Sequence, residues 1–296
     1  MANKHSSHYL AFKVKSEEIL LTFIEKSLFG ISRNKAKSIL SNGGVLVNKN
    51  ITTQYNFRLT PGMTVEISRS KQPATVNSKF VRIVYEDRDI IIIEKAPGIL
   101  SAPAPHHPFN VKTVLDTHLR LSHKKCTTHV VHRLDRDTSG LMVYAKNVET
   151  AKILEENWKQ IVSDRRYLAL VEGEMEQKNG TIESWLTDND KYNTESSPID
   201  NGGKYALTHF RVLKSNKKYS LVELKLETGR KNQIRVHMQD IGHPVCGDIK
   251  YGTNTTPRQR LCLHAHLLCL SHPRTREQLK FESPAPDLFT KVFDQH

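Results

Sequence analysis

The 296-residue chain predicts an α+β protein with a small α/β domain at its N-terminal end. Two observations carry that expectation. From Phe80 onward, short β-rich runs (VRIVYE, DIIIIEK, LMVYAK, RRYLALVEG, HFRVLK, YSLVELKLE) follow one another without the regular helical crossover of a parallel sheet. Before that point, two amphipathic helical patterns precede a β-ribbon, and the polar stretch SRSKQPATVNSK separates the two regions.

The elements follow in order. SEEILLTFIEKSLFG places Ser16 at a helix N-cap, Glu17 and Glu18 in the first turn, and Leu20, Phe23, Ile24 and Leu28 at helical spacing. In ISRNKAKSILSNGG, Ser32 caps a second helix, Ala36, Ile39 and Leu40 pack inward, and Gly43 and Gly44 end it. Arg33, Lys35 and Lys37 then project toward solvent. VLVNKNITTQYNFRLTPGMTVEI reads as short strands turning at Asn48 to Asn50 and at Pro61-Gly62. Residues 13–69 thus form one domain, 70–79 a linker and 80–296 a second domain, with VETAKILEENWKQI as a helical stretch inside it.

A hydrophobic fraction of 38% is enough to bury a core in each domain. Lysine and arginine number 44 against 31 acids, a net charge of +13 that suits a polyanionic partner such as nucleic acid. Residues 1–80 hold 12 basic and 4 acidic side chains, which makes the N-terminal part the better phosphate-binding candidate. The longest apolar runs, such as Ile90 to Ile93, are too short to span a membrane, and MANKHSSHYL lacks the apolar segment of a signal peptide. Cys126, Cys246, Cys262 and Cys269 form no CxxC pair, as expected of a reducing cytoplasm without a disulfide framework.

The chemistry concentrates in HRLDRDTSG, where Asp135 sits between Arg133 and Arg136 just ahead of a small-residue turn. A carboxylate beside a cation stays ionised and can attack an electrophilic carbon, although such a triplet taken alone is more often a structural ion pair. Two later runs are TGRKNQIRVHMQDIGHPVCGDIKYG and LHAHLLCLSHP. Cys262, His264, His266 and Cys269 invite a zinc reading, but the run lacks CxxC or HxxxH pairs and reads better as core; no metal is expected. Asp135-Arg136-Asp137 has the DxD spacing of aspartate-nucleophile phosphatases, yet His132 and Arg133 stand where those enzymes have an apolar strand. Neither GxGxxG nor GxxxxGK[ST] occurs, an absence consistent with chemistry that uses no nicotinamide, flavin or nucleotide triphosphate.

Taken together, YEDRDIIIIEKAPGIL, HRLDRDTSG, RRYLALVEG, TGRKNQIRVHM with GHPVCGD, and LHA with SHP resemble the RluA/RluD-type pseudouridine synthases over roughly residues 81 to 290. Residues 13–69 resemble the S4-like RNA-binding domain, with Arg33, Lys35 and Lys37 as its RNA grip. The resemblance implies a mixed, largely antiparallel sheet with the cleft across it, and isomerisation of uridine to pseudouridine without metal or organic cofactor. Asp135 matches the catalytic aspartate, Arg235 the basic residue paired with it, and Tyr167 the active-site tyrosine. Alone, Tyr167 would read as a core strand tyrosine and Arg235 as a surface strand arginine.

The resemblance also implies that Arg133 enters RNA beside the flipped target, a phosphate contact being the alternative, and that Lys95, with Pro97 and Gly98 in a KPxG-like turn, approaches RNA. His132 supports the loop, and Ile234 and Leu263 line the uracil pocket or the core. Lys231 and Asn232 stand where many relatives carry Thr-His, a departure bearing on target choice more than chemistry. The expected substrate is large-subunit ribosomal RNA, with transfer RNA the alternative, and the expected state a monomer. The rival class is a non-catalytic RNA-binding assembly factor.

Overall fold

The computed structural model describes residues 9–41, 45–48, 50–52, 55–68, 78–105, 109–122, 126–189, 193–252 and 260–294. The chain divides into two units, residues 1–77 and 78–296. Among the described residues no helix is long and apolar enough to cross a membrane.

In the first unit the elements are β1 (Tyr9–Lys13), β2 (Glu18–Ile19), α1 (Leu20–Ser27), α2 (Arg33–Ser41), β3 (Val45–Val47), β4 (Asn50–Ile51), β5 (Arg58–Leu59) and β6 (Thr64–Ser68). Four strands form an antiparallel sheet in the order β1-β6-β3-β4, and β2 pairs with β5. The apolar face of α1 (Leu20, Leu21, Phe23, Ile24) packs with Ala36 and Leu40 of α2 and with Val45, Val47, Val65 and Ile67 of the sheet. Helix α1 starts later than the Ser16 cap predicts. Glu18 and Ile19 are drawn into pairing with Leu59 and Arg58, and the Glu18 carboxylate reaches Lys26 at 2.9 Å instead of capping. Ser32 does cap α2, its Oγ accepting from the Lys35 N–H at 3.3 Å. Asn48 and Gly62 turn the ribbon at φ 47° and 93°, left-handed conformations that Asn and Gly adopt at little cost. The predicted helix end at Gly43 and Gly44, and most of the predicted linker, lie outside the described residues.

The second unit runs β7 (Val81–Glu86), β8 (Ile90–Lys95), α3 (Val111–Ser122), β9 (His129–Val130), β10 (Ser139–Ala145), α4 (Val148–Glu156), α5 (Trp158–Ile161) and β11 (Val162–Glu172). It continues with β12 (Asn179–Asp188), β13 (Thr194–Ser197), β14 (Lys204–Ser215), β15 (Tyr219–Leu226), α6 (Gln233–Asp240), β16 (Leu263–Ser271), β17 (Gln278–Glu282) and α7 (Asp287–Thr290). One eleven-stranded sheet takes the order β13-β12-β14-β15-β11-β16-β10-β8-β7, with β17 added on β16 and β9 on β10. Every strand pair is antiparallel except β10 with β16, so the sheet is mixed and largely antiparallel.

Strand character follows position. β10 is buried along its whole length, as an uninterrupted apolar run must be, while β12 alternates buried and exposed residues because only one face is covered. Asn147 opens α4, its side-chain oxygen accepting from the Thr150 N–H at 2.8 Å. Ala151 and Leu154 of that helix pack on Ile90, Ile92, Leu141, Val143 and Leu268 of the sheet. Arg235 is carried not by a strand but by helix α6, whose Gln233, Ile234, Val236, His237 and Met238 are all buried. A helix covered on nearly every side loses the polar face that identifies it in sequence.

Candidate active site

Asp135 occupies a turn closed by the Thr138 N–H donating to the Asp135 carbonyl at 3.2 Å, immediately before β10. The loop is tied down from several sides. Ser101 Oγ donates to the Leu134 carbonyl at 2.7 Å and accepts from the Leu134 N–H at 3.2 Å. His132 Nε2 accepts from the Val143 N–H at 3.0 Å, and its ring lies 4.8 Å from that of Trp158. Burial, with the nearby Arg165 charge a smaller cause, pushes the His132 pKa down to about 3, so the ring is a neutral prop for the loop.

Lys95 corrects the sequence expectation. It is 0% exposed, and its ammonium donates to the carbonyls of Ala96 (3.0 Å), Ile99 (2.9 Å) and Arg136 (2.8 Å). All three donors are used inside the protein, so Lys95 does not face RNA; it pins the 96–99 turn to the Asp135 loop. The Gly98 N–H reinforces this by donating to the same Arg136 carbonyl at 2.9 Å. Burial pushes the Lys95 pKa down to about 7, opposed by Asp137 and Asp135.

The arginines flanking Asp135 in sequence do not pair with it. Arg136 turns to Asp137, with Nη2 to Oδ2 at 3.0 Å, and Arg133 is exposed. Arg235, brought from far along the chain by α6, places Nη1 3.5 Å from Asp135 Oδ2. The opposite edge of its guanidinium makes a two-point contact with Asp248, Nε to Oδ2 at 2.7 Å and Nη2 to Oδ1 at 2.8 Å. Nη1 also donates to Asn232 Oδ1 at 2.8 Å, and the Tyr251 ring lies 5.0 Å from the guanidinium carbon. Burial alone would raise the Asp248 pKa, but Arg235 and the backbone N–H groups of Lys250 and Tyr251 hold it below the usual carboxylate range. The result is a fixed guanidinium with one edge given to a buried carboxylate and the other turned to Asp135, whose side chain remains 38% exposed.

Tyr167 lies in β11, buried, opposite Ala265 of β16. Ala265 is in turn opposite Gly140 of β10, so one row across three strands links Tyr167 to the strand that emerges from the Asp135 turn. Gly140 permits that closeness. Its φ is +114°, and a Cβ there would fall 2.2 Å from the Ala265 carbonyl oxygen. Ile234 and Leu263 are both buried, and the sequence expectation leaves each between pocket wall and core.

The rival readings meet specific obstacles. His264 uses both ring nitrogens, Nδ1 with Ser139 Oγ at 2.8 Å and Nε2 with Ser283 Oγ at 2.9 Å, which leaves neither to ligate zinc. Asp135 and Asp137 each face their own guanidinium and do not converge as a magnesium-binding pair would. In the first unit Arg33 is exposed, 3.5 Å from Glu25; Lys35 is exposed; and Lys37 Nζ sits 5.7 Å from the Tyr55 ring centroid. Sequence reasoning missed Asp248, Asn232 and Tyr251 as partners of Arg235. Their only signal was that they lie in the same run, TGRKNQIRVHMQDIGHPVCGDIKYG.

The site thus sets a partly exposed aspartate against a largely covered guanidinium beside a mixed sheet that carries Tyr167, and the chain has a second unit with basic side chains on its second helix. The chain belongs to the RNA pseudouridylate synthase family, which matches residues 89–240, and it carries an S4 domain matching residues 20–65. The first match contains Asp135, Tyr167, Asn232 and Arg235. The chain is 35% identical to "Uncharacterized RNA pseudouridine synthase YjbO" of Bacillus subtilis, over 89% of this chain and 94% of that protein. It is 32% identical to "Ribosomal large subunit pseudouridine synthase D" of Haemophilus influenzae, over 89% of this chain and 86% of that protein. Among solved structures, human RNA Pseudouridylate Synthase Domain Containing 1 superposes with a TM-score of 0.57 at 28% identity, over 72% of this chain and 86% of that one.

Proposed function

We propose that the protein isomerises one or more uridines of large-subunit ribosomal RNA to pseudouridine, with Asp135 as the essential group. The observation that carries this reading is the carboxylate of Asp135, still open to a ligand with the anchored Arg235 guanidinium 3.5 Å away. The bond between ribose C1′ and uracil N1 breaks, the base turns, C5 bonds to C1′, and the proton lost from C5 is matched by one gained at N1. Atoms balance without oxidant, reductant or water, so the reaction calls for no metal or organic cofactor. Two routes use the same carboxylate: attack on the anomeric carbon, or proton abstraction that starts a glycal.

The other residues take supporting roles. Arg235 orients Asp135 and balances its charge. Tyr167 offers a ring to stack on uracil and a hydroxyl for proton transfer. The target must leave its stack at a cost of a few kcal/mol, and Arg133, exposed just before Asp135, fills the gap. Arg33, Lys35 and Lys37 hold phosphates elsewhere on the RNA. The choice of ribosomal RNA is supported by the name of the Haemophilus influenzae relative. A monomer acting in the cytoplasm completes the reading.

The test incubates purified protein with unmodified ribosomal and transfer RNA transcripts in chelator and quantifies pseudouridine after digestion, beside Asp135→Asn. Product from wild type on ribosomal RNA, reduced at least about a thousandfold in the variant, is expected. Product on transfer RNA alone would move the substrate class. Tight RNA binding without product on any RNA would point to an assembly factor.

A further inference from the structure

Asn232 precedes α6 in the left-handed conformation, φ 54°, and is buried. Its amide is used at both ends. Oδ1 accepts from Arg235 Nη1 at 2.8 Å, and Nδ2 donates to Thr194 Oγ1 and to the Tyr251 hydroxyl, each at 3.2 Å. Arginine offers only donors, so the amide oxygen must face it, and the NH₂ is thereby directed at the two hydroxyls.

The contacts continue outward. Thr194 opens β13; its N–H donates to the same Tyr251 hydroxyl at 2.9 Å and its Oγ1 to Asp188 Oδ1 at 2.8 Å, at the end of β12. The other Asp188 oxygen accepts from Lys231 Nζ at 3.0 Å. A continuous path therefore runs from the exposed end of the β12–β13 hairpin through Asn232 to Arg235 and so to Asp135.

We infer that Asn232 is a positioning residue: it holds the Nη1 edge of Arg235 toward Asp135, as Asp248 holds the opposite edge, and it ties that guanidinium to the β12–β13 hairpin. The inference rests on the proposed catalytic role of Asp135. The residue type follows from three demands: an acceptor for arginine, donors for two hydroxyls, and a left-handed backbone, which asparagine tolerates better than other side chains of its size. Two-edge fixation matters because at 3.5 Å the Arg235–Asp135 contact is too long to enforce its own geometry.

The experiment uses Asn232→Gly, which removes the side chain and keeps the left-handed backbone unstrained, beside Asn232→Asp, which keeps only the acceptor. Expected for Asn232→Gly are a kcat lower by about 10- to 100-fold at saturating RNA and a KM within about threefold of wild type. Asn232→Asp should recover most of the lost kcat. Nitrogen NMR of the arginine side chains should show Arg235 with hindered guanidinium rotation in wild type and averaged signals in Asn232→Gly. A folded Asn232→Gly with wild-type kcat and an unchanged Arg235 spectrum overturns the inference, as does Asn232→Asp performing no better than glycine. Wild type that makes no pseudouridine defeats the proposed function instead, while the Arg235 spectrum still decides the positioning role.

Discussion

At Gly140 a hydrogen in place of a methyl group governs how closely the Asp135 strand approaches its neighbour. With φ at +114° and the Ala265 backbone where a Cβ would stand, Gly140→Ala must push β10 from β16 or distort both. We expect it to destabilise the fold by about 2–3 kcal/mol, read as a lowered urea midpoint at unchanged slope. Lys95 shows the opposite case, a charged residue whose sequence neighbours suggest surface contact and whose place in the fold is interior. A lysine beside a turn looks the same in sequence whether its ammonium meets phosphate or three carbonyls. Asp135 was legible as a charged turn residue; that its partner is Arg235 and not the nearby Arg133 or Arg136 was legible only through family resemblance.

Among the elements, those with a strong local apolar or β-branched run were the easiest to read. β7 and β8 coincide with VRIVYE and with the IIIIEK part of DIIIIEK, and the helical stretch VETAKILEENWKQI forms α4 and α5. Helix α6 was not readable, because burial on most sides erased its amphipathic pattern and left alternating Ile234, Val236 and Met238 that suit a strand equally well. The start of α1 shifted because pairing with β5 claimed Glu18 and Ile19, a contact between segments far apart in the chain. Helix α2 carries a prediction of its own. Replacing Arg33, Lys35 and Lys37 by glutamate should weaken binding of ribosomal RNA transcript by about 10-fold or more at 100 mM salt and flatten the salt dependence by about two to three units. Filter binding across a salt series checks this; an unchanged affinity and slope would leave these residues as a solvated helix face.

For the molecule as a whole, three histidines of the second unit whose charged form is disfavoured by desolvation shape its response to acid. Burial pushes the pKa of His132 to about 3 and of His237 and His264 to about 4, His264 with opposing pulls from Glu94 and Arg260. In the unfolded chain histidine titrates near 6.5, so between about pH 6.5 and 4 the unfolded state takes up protons that the fold does not, and stability falls as pH falls. His237 and His264 should each cost about 2 kcal/mol at pH 5 relative to pH 7.5. Below about pH 4 the buried carboxylates add to the loss: burial would raise Asp89, Asp116 and Asp248, but their hydrogen-bond partners hold all three below the ordinary range, and protonation forfeits those bonds. Urea unfolding at pH 7.5, 6 and 5 measures the decline, and His264→Gln should remove one proton from its slope; a flat profile would contradict the neutral buried state. Local pattern and composition were enough to show the two-part organisation in outline, the α+β class, the excess of basic charge and the turn carrying Asp135. The folded chain was needed to show that Lys95 is interior, that Arg235 rides on a helix, and that Asp248, Asn232 and Tyr251 hold it. Those facts depend on which distant segments share a low-dielectric interior, and one-dimensional spacing does not encode that directly.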